Sequence, residues 1–246
     1  MRPSPRRLAL VWIVLATGIP ARPAAAADLP ALLLAVEANA AFDVPAMAEV
    51  QLTTPGAPAP VAVRLYGRGR VVRLETTSGW RALVKASKVV AAAPGKAPRA
   101  KTEEPLPGSP LLVADFAPFV AGALRVPQIS DDGPLGVVVT GEPRPPSPYV
   151  LMVYTIERDH PVVSAAKYYR WEINNLVQMT RVRQWARLGD RRRPQLVDVQ
   201  DLAGGKTTTL TFAWQARPEL PAALFVPSGL AIPVPPVSGS APSAAS

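Results

Sequence analysis

The chain has 246 residues, with 30 prolines, 16 glycines and no cysteine. So much proline disfavours a helical bundle, and the lack of cysteine excludes disulfides, thiolate metal sites and cysteine nucleophiles. The formal net charge is +9, but Arg2, Arg6, Arg7 and Arg22 belong to an N-terminal leader. The rest of the chain is only modestly basic, which gives weak support for a nucleic-acid partner.

Residues 1–27 have the pattern of a cleaved secretory signal peptide. A basic start, 1–7, precedes an apolar run at 8–19, and Ala25-Ala26-Ala27 supplies small residues for cleavage before Asp28. Retention of the leader as a membrane anchor is the less favoured alternative, because a spanning helix needs about 20 apolar residues. We therefore expect a mature protein that is exported to the periplasm and soluble there.

The first part of the mature chain predicts one helix followed by a strand meander. Asp28 is placed to cap a helix that begins at Leu29 and Pro30. Apolar and polar residues then alternate with a period of two, and Gly67-Arg68-Gly69 is predicted to be a turn between strands. The predicted strands cover 47–53, 61–66, 71–76, 80–85 and 88–92. Val72 and Leu74 point inward in the third of them, and Arg73 and Glu75 point outward.

The middle of the chain is irregular. Residues 93–109 have no periodicity and predict a mobile loop. The apolar segment 111–124 is predicted to form one or two short helical turns that carry Phe116 and Phe119. Asp131-Asp132-Gly133 has the chemistry of a turn, and the sheet is expected to resume at 135–140.

A second meander is predicted at 149–156, 162–171, 176–184, 195–201 and 206–215. In its last strand, Leu210, Phe212 and Trp214 fall on one face. The proline-rich segment after it cannot continue as a strand, so it is expected to turn away and pack Leu220, Leu224 and Phe225 elsewhere. Residues 231–246 are predicted to be a disordered tail of Pro, Ser, Ala and Gly, which leaves a single domain at 28–230.

The end of the second meander carries a family resemblance. Gly204-Gly-Lys-Thr-Thr-Thr-Leu-Thr-Phe212 is followed by Pro218-Glu-Leu-Pro-Ala-Ala-Leu-Phe225 and a closing Leu230. This order resembles the outer-membrane lipoprotein-sorting protein family, the relatives of the periplasmic lipoprotein carrier in the LolA-like superfamily. The resemblance covers about residues 29–230, and its specific part is the C-terminal third.

The resemblance implies a mainly β fold, in which a strongly curved antiparallel sheet forms an incomplete half-barrel with short covering helices. In that family the concave surface holds acyl chains. Two alternatives stay open for Phe116 and Phe119, which either form a movable cover or fill the barrel as core. The residues expected to line the cavity or its cover are Val63, Leu65, Val72, Leu74, Phe116, Phe119, Leu210, Phe212 and Trp214.

Other motifs favour structural interpretations. Gly204-Gly-Lys-Thr207 lacks the first glycine of a phosphate-binding loop and precedes a strand, so we interpret it as a hairpin turn. His160 is the only histidine and lies in a predicted turn, where it cannot form a histidine-rich metal site. We therefore expect no metal, no cofactor and no catalytic residue.

A basic cluster surrounds Trp185. It is interpreted as a solvated strand face and turn, with lipid headgroups or an acidic protein surface as the alternative partner. Its members are Arg181, Arg183, Arg187, Arg191, Arg192 and Arg193.

Three functions follow in order of preference. The first is a monomeric periplasmic carrier or chaperone that shelters the acyl chain of a lipid or lipoprotein, with an inner- or outer-membrane partner protein. The second is an envelope interaction or stress-sensing module without cargo on the same scaffold. A hydrolase is the third and minor option, so we expect a protein that is not an enzyme and does not bind nucleic acid.

Overall fold

A computed structural model describes residues 28–134 and 136–235. The predicted signal peptide, Leu135 and the part of the predicted tail from 236 onward lie outside the described residues. The described chain contains one α-helix, α1 at Leu29–Ala40, and short 3-10 helices at Val113–Phe116, Ala121–Ala123, Ala222–Phe225 and Pro227–Ala231.

The strands of the sheet follow one another along the chain as two meanders. They are β1 (Phe42–Thr53), β2 (Val61–Gly69), β3 (Val71–Thr76), β4 (Arg81–Lys85), β5 (Lys88–Ala92), β6 (Arg99–Lys101), β7 (Leu124–Gly133), β8 (Gly136–Pro143), β9 (Leu151–Ile156), β10 (Val163–Tyr169), β11 (Leu176–Leu188), β12 (Arg191–Asp201) and β13 (Lys206–Ala216).

All these strands belong to one antiparallel sheet of 13 strands in the order β6-β5-β4-β3-β2-β1-β13-β12-β11-β10-β9-β8-β7. The sheet is not closed, because β6 and β7 are its two edges. The mainly β, open antiparallel architecture predicted from the sequence is therefore confirmed. Strands β1 and β13 pair at the centre and join the two meanders into one sheet.

The alternation predicted for the last strand sets the register at this central pair. Phe212 lies opposite Val50, and Leu210 lies opposite Leu52. All four side chains are buried in one cluster on the inner face of the sheet. Val63, Leu65, Val72 and Leu74 of the next two strands extend that cluster. The two-residue period thus gives the sheet one continuous apolar face.

Helix α1 begins where the sequence predicts. The Asp28 side chain accepts a hydrogen bond from the Ala31 backbone N–H at 3.3 Å. Leu33 and Val36 pack against Val137, Val139 and Ile156 of β8 and β9, so the helix covers the inner face near one edge of the sheet. Glu37 of the same helix is also buried, and its carboxylate accepts a hydrogen bond from the Ala121 backbone N–H.

The chain after β13 covers the outer face, as the prolines predict. Leu220, Leu224 and Phe225 pack against Met47 and Tyr66. Leu230 packs farther along the same face against Leu83 and Ala92. We call residues 218–235 the C-terminal segment. Its part beyond 230 still makes contacts, since the Ile232 carbonyl accepts a hydrogen bond from Arg73 at 2.7 Å.

Several local predictions were wrong. Gly67-Arg68-Gly69 lies inside β2, where the absence of a side chain on Gly67 makes room for the Phe42 ring. Asp131-Asp132-Gly133 belongs to edge strand β7, whose outer side tolerates polar residues because it is solvated. The predicted loop 93–109 contains β6 and the fully buried Leu106.

Candidate functional site

A cavity of about 250 Å³ lies between the inner face of the sheet and the elements that cover it. Its floor comes from β2, β3 and β10 to β13, and its roof from α1 and residues 111–119. Most of its wall is apolar. The side chains that form it include Val36, Phe42, Leu65, Val72, Leu111, Phe116, Pro118, Phe119, Val163, Val182, Trp185, Val197, Val199, Leu210, Phe212 and Trp214.

The cavity brings together most of the residues singled out from the sequence. Those on its wall are Leu65, Val72, Phe116, Phe119, Leu210, Phe212 and Trp214. Val63 and Leu74 are buried in the same apolar cluster but do not line the cavity. The rings of Phe212 and Trp214 are stacked, with centroids 5.7 Å apart, and both line the cavity. That these side chains contact a ligand stays a prediction.

Residues 111–124, which we call the cover segment, form the roof as two short 3-10 helices joined by an extended stretch. This confirms the short helical turns predicted there. Phe116 packs on the main cluster, and Phe119 meets the Tyr154 ring edge-on at 5.3 Å. A cavity remains beneath them, so these rings do not fill the space between sheet and cover.

The cover segment is held by a few polar contacts. The Asp115 carboxylate accepts hydrogen bonds from the Leu112 backbone N–H at 2.9 Å and from the Tyr149 hydroxyl. The Glu37 carboxylate of α1 accepts a hydrogen bond from the Ala121 backbone N–H at 2.7 Å. The middle of the segment is thus attached to the loop before β9 at one point and to the helix at another, while its two ends are hydrogen-bonded to Glu104, Leu106 and Arg144.

A second cavity of about 160 Å³ adjoins the first beneath the cover segment. Both are lined by Asp115, Tyr168 and residues 117–119, which stand between them. Movement of residues 117–119 would join the two spaces into one longer space. Together, their volumes of about 250 and 160 Å³ fall within the range of small-molecule pockets, about 300 to 1,000 Å³.

A small polar cluster interrupts the apolar wall where the two cavities meet. Burial raises the pKa of Asp115, against the opposing effect of its hydrogen bonds. Burial, and then the neighbouring Asp115 charge, raises the pKa of Tyr149 far above its usual range. Burial likewise raises the pKa of Tyr168. The two tyrosine hydroxyls therefore stay neutral at physiological pH and act as hydrogen-bonding groups.

Arg193 lines the larger cavity but not the smaller one, and it is only 5% exposed. Its guanidinium donates to the Asn39, Ala40 and Ala41 carbonyls at the C-terminus of α1. Burial lowers the pKa of Arg193 to about 10, so the side chain remains charged at neutral pH. The guanidinium also lies over the Phe42 ring, 4.3 Å from its centroid.

The arginines around Trp185, predicted to form a solvated face, differ in their exposure. Arg181, Arg183 and Arg187 are exposed, as the prediction has it. For Arg193 the prediction was wrong, because the end of α1 covers that residue. Arg192 lies between these cases, pairing with Glu157 at 2.7 Å and stacking on the Trp185 ring at 4.9 Å.

Sequence reasoning missed several wall residues. Three of them lie on strands that were predicted: Tyr168, Thr180 and Val182. The alternation of inward and outward residues along those strands could have identified them. Asp115 gave no such signal, because its burial results from the fold of the cover segment. Trp185 follows two irregularities in the β11–β12 register, which shift the alternation at that point.

Two further features concern the described residues alone. They contain no group of three His, Cys, Asp or Glu side chains placed to hold a metal ion. None of their helices is long and apolar enough to cross a membrane.

Comparison with solved structures identifies the fold. A LolA superfamily protein from Nitrosomonas europaea is 14% identical, with a TM-score of 0.64 over 80% of this chain and 96% of that one. A putative outer membrane lipoprotein-sorting protein domain from Vibrio parahaemolyticus is 14% identical, with a TM-score of 0.65 over 81% and 97%. A DUF1329 family protein from Desulfovibrio piger is 13% identical, with a TM-score of 0.67 over 82% and 98%.

These likenesses show that the chain has a LolA-like fold, as its C-terminal third predicts. No protein-family model and no curated protein sequence matches the chain.

Proposed function

We propose that this protein is a periplasmic carrier or chaperone that shelters an acyl chain of a lipid or lipoprotein beneath its cover segment. The observation that carries the proposal is the apolar cavity of about 250 Å³ between the inner face of the sheet and residues 111–119. The LolA-like fold supports the same class of ligand, because one solved structure with this fold is described as a lipoprotein-sorting domain.

The chemistry of the wall suits an acyl chain. Each methylene transferred from water contributes about 0.8 kcal/mol, so a few buried methylenes give useful affinity. The aromatic surface of Phe212 and Trp214 and the aliphatic side chains Leu65, Val182 and Leu210 offer contact without hydrogen-bonding groups that need a partner. Polar groups such as Asp115, Tyr168 and Arg193 form only a small part of the wall.

Release of cargo requires the cover to open. Residues 114–121 of the cover segment make few polar contacts with the rest of the molecule, chiefly through Asp115 and Ala121, whereas the two ends of the segment are hydrogen-bonded to Glu104, Leu106 and Arg144. Segments of this kind open at low free-energy cost, since few interactions are lost. A protein that receives a chain from one membrane and delivers it to another needs such a cover, and we propose membrane partner proteins at both ends of that route.

The leader predicted at residues 1–27 supports the periplasmic location. The test is to express the full-length gene, purify the exported protein and extract it for lipid mass spectrometry. We expect a co-purifying acyl lipid and saturable uptake of a fluorescent fatty acid by the delipidated protein. Absence of both would contradict the carrier function and leave the interaction module without cargo as the better account.

We also propose that the protein acts by binding and catalyses no reaction. Asp115 and Tyr149 are paired with each other at the junction of the two cavities, and we assign them to holding the cover. A screen with ester and glycoside substrates tests this assignment. Turnover that disappears in an Asp115→Asn variant would contradict it.

A further inference from the structure

Arg193 carries a positive charge in the wall of the cavity, and no carboxylate of the described residues forms an ion pair with it, although Asp43 lies near enough to act on its charge. Its neighbours Arg191 and Arg192 pair with Asp43 and Glu157, at 2.5 and 2.7 Å. Arg193 itself donates to backbone carbonyls at the end of α1, with distances of 2.5 to 3.0 Å. A helix C-terminus carries a partial negative charge of about half a unit, so this contact compensates the guanidinium charge incompletely.

One hydrogen-bonding group of Arg193 remains unused. The Nε–H is buried and has no acceptor among the described residues. Buried donors nearly always have a partner, because an unsatisfied group costs free energy, and charged groups cost more. A buried cation with a free donor in the wall of a binding cavity is therefore expected to meet an acceptor that the ligand brings.

The surroundings of Arg193 give the cavity two different parts. The guanidinium lies over Phe42, and Trp185 with the stacked Arg192 lies on the same wall. The rest of the wall is largely apolar, with Val197, Val199 and Leu210 among its side chains. A ligand that matches both parts has an anionic group at the end of an apolar chain.

We propose that Arg193 binds the anionic headgroup of the ligand, an oxyanion of carboxylate or phosphate type, while the acyl chain lies along the apolar wall. This inference rests on the proposed function, since it requires a chain in the cavity. The inference adds the class of ligand to the proposed function: a chain with an anionic end is preferred over the same chain with a neutral end. Arginine suits this task because it stays charged at neutral pH and its unused Nε–H can donate a charge-assisted hydrogen bond to either oxyanion.

The test compares three ligands with the same ten-carbon chain: decanoate, decyl phosphate and decanol. Each displaces the neutral probe N-phenyl-1-naphthylamine from delipidated protein at neutral pH. We expect at least one anion to bind about tenfold more tightly than decanol, as one charge-assisted hydrogen bond in a buried site provides. The ratio between decanoate and decyl phosphate tells whether a fatty acid or a phosphate-bearing lipid is the better source of the anion.

Variants assign the preference to a residue. Arg193→Met should lower the affinity for the anions to that for decanol and leave decanol binding nearly unchanged. Arg193→Lys keeps the charge and should retain part of the preference. Arg183→Met is the matched control, because Arg183 is exposed, pairs with Asp198 and does not line the cavity. The Arg183→Met protein should prefer the anions over decanol as strongly as the unaltered protein does.

The outcomes separate this inference from the function on which it rests. If decanol binds the unaltered protein as tightly as both anions, the headgroup site is overturned and the carrier function stands. The same conclusion follows if a folded Arg193→Met protein keeps the full preference. If neither the probe nor any chain binds, both proposals fall. Should Arg193→Met fail to fold, the headgroup site is tested by two other results. These are the ratio of anion to decanol affinity in the unaltered protein and the decrease of that ratio in Arg193→Lys.

Discussion

Arg73 shows how one side chain holds two distant parts of the chain together. It is fully buried on the outer face, where its guanidinium donates to the carbonyls of Leu224, Gly229 and Ile232 at 2.7 to 3.0 Å. It also pairs with Glu75 at 2.5 Å. The C-terminal segment turns these carbonyls toward the cation. The guanidinium donates to them in addition to the hydrogen bonds within the segment, such as the one from the Ile232 N–H to the Gly229 carbonyl.

Arg73→Met should therefore destabilise the fold by about 3 kcal/mol, because three carbonyls and Glu75 lose a buried charged donor, although Glu75 keeps its contact with Arg81 at 3.4 Å. Urea unfolding measures the loss, and limited proteolysis should show earlier cleavage within 218–235. Arg64→Met is the matched control, since Arg64 is exposed on the same face of neighbouring β2. Equal stabilities of the two variants would contradict the anchoring role of Arg73.

Gly67 is a second position where a single residue affects the stability of the fold, because there is no room for a Cβ atom. A Cβ there would lie 2.5 Å from the Phe42 ring, which packs over this glycine within β2. Gly67→Ala should lower the free energy of unfolding by about 1 to 3 kcal/mol, because the ring and its strand must shift. Gly122→Ala serves as the control, since a Cβ there meets no atom within 4 Å. Thermal or urea unfolding of both variants checks the difference.

The burial of Asp115 leads us to predict that the stability of the fold depends on pH. Burial raises its folded-state pKa above the ordinary value of 3.8, so the folded state binds the proton more tightly than the unfolded state does. Its contribution to stability is therefore present below that ordinary value and is lost as the pH rises through the folded-state pKa. In the Asp115→Asn variant the side chain cannot ionise, so the variant does not lose this stability as the pH rises.

The free energy of unfolding of Asp115→Asn, relative to the unaltered protein, should thus increase between about pH 4 and about pH 7. Urea unfolding at both pH values measures the change. A difference that stays constant, or that decreases with pH, would show that the hydrogen bonds from Leu112 and Tyr149 outweigh burial at this carboxylate.

At the scale of elements, the cover segment depends on the contact between Asp115 and Tyr149. Tyr149→Phe removes one donor and keeps the ring, which packs against Tyr168 with a centroid distance of 4.8 Å. The remaining contacts should keep the fold intact, while the cover opens more often. Amide hydrogen exchange at 113–119 should become faster by about fivefold, as the loss of about 1 kcal/mol from one hydrogen bond implies.

Tyr169→Phe is the control for that experiment, because Tyr169 neighbours Tyr168 on β10 and does not line either cavity. Its exchange at 113–119 should match that of the unaltered protein. Unchanged exchange in Tyr149→Phe would mean that the Asp115 contact does not hold the cover.

Elements with a strong local pattern were predictable, and elements defined by distant contacts were not. Helix α1 and strands β3, β5 and β13 follow from capping and alternation within a few residues. Strand β7 was missed because its exposed Asp131 and Asp132 have the chemistry of a turn, while its strand state depends on pairing with β8. The burial of Arg73 could not be predicted, since the covering residues lie about 150 positions later.

At the scale of the whole molecule, the two meanders together make the cavity. Its wall takes Leu65 and Val72 from the first meander and Leu210 and Phe212 from the second, and the strands β1 and β13 bring them side by side. The sequence indicated the apolar face of each meander. It could not indicate that a space remains beneath the cover segment, because that depends on how far Phe116 and Phe119 reach inward.

The central claim is that this space holds an acyl chain, and a matched pair of variants tests it most directly. Ala117 lines both cavities, whereas Ala213 is exposed on the opposite face of β13. The measurement is the saturable binding of N-phenyl-1-naphthylamine to each delipidated variant. Ala117→Trp should reduce the affinity at least tenfold, because its ring occupies the space the ligand needs, and Ala213→Trp should bind as the unaltered protein does. Equal binding by both variants would contradict a ligand site beneath the cover segment.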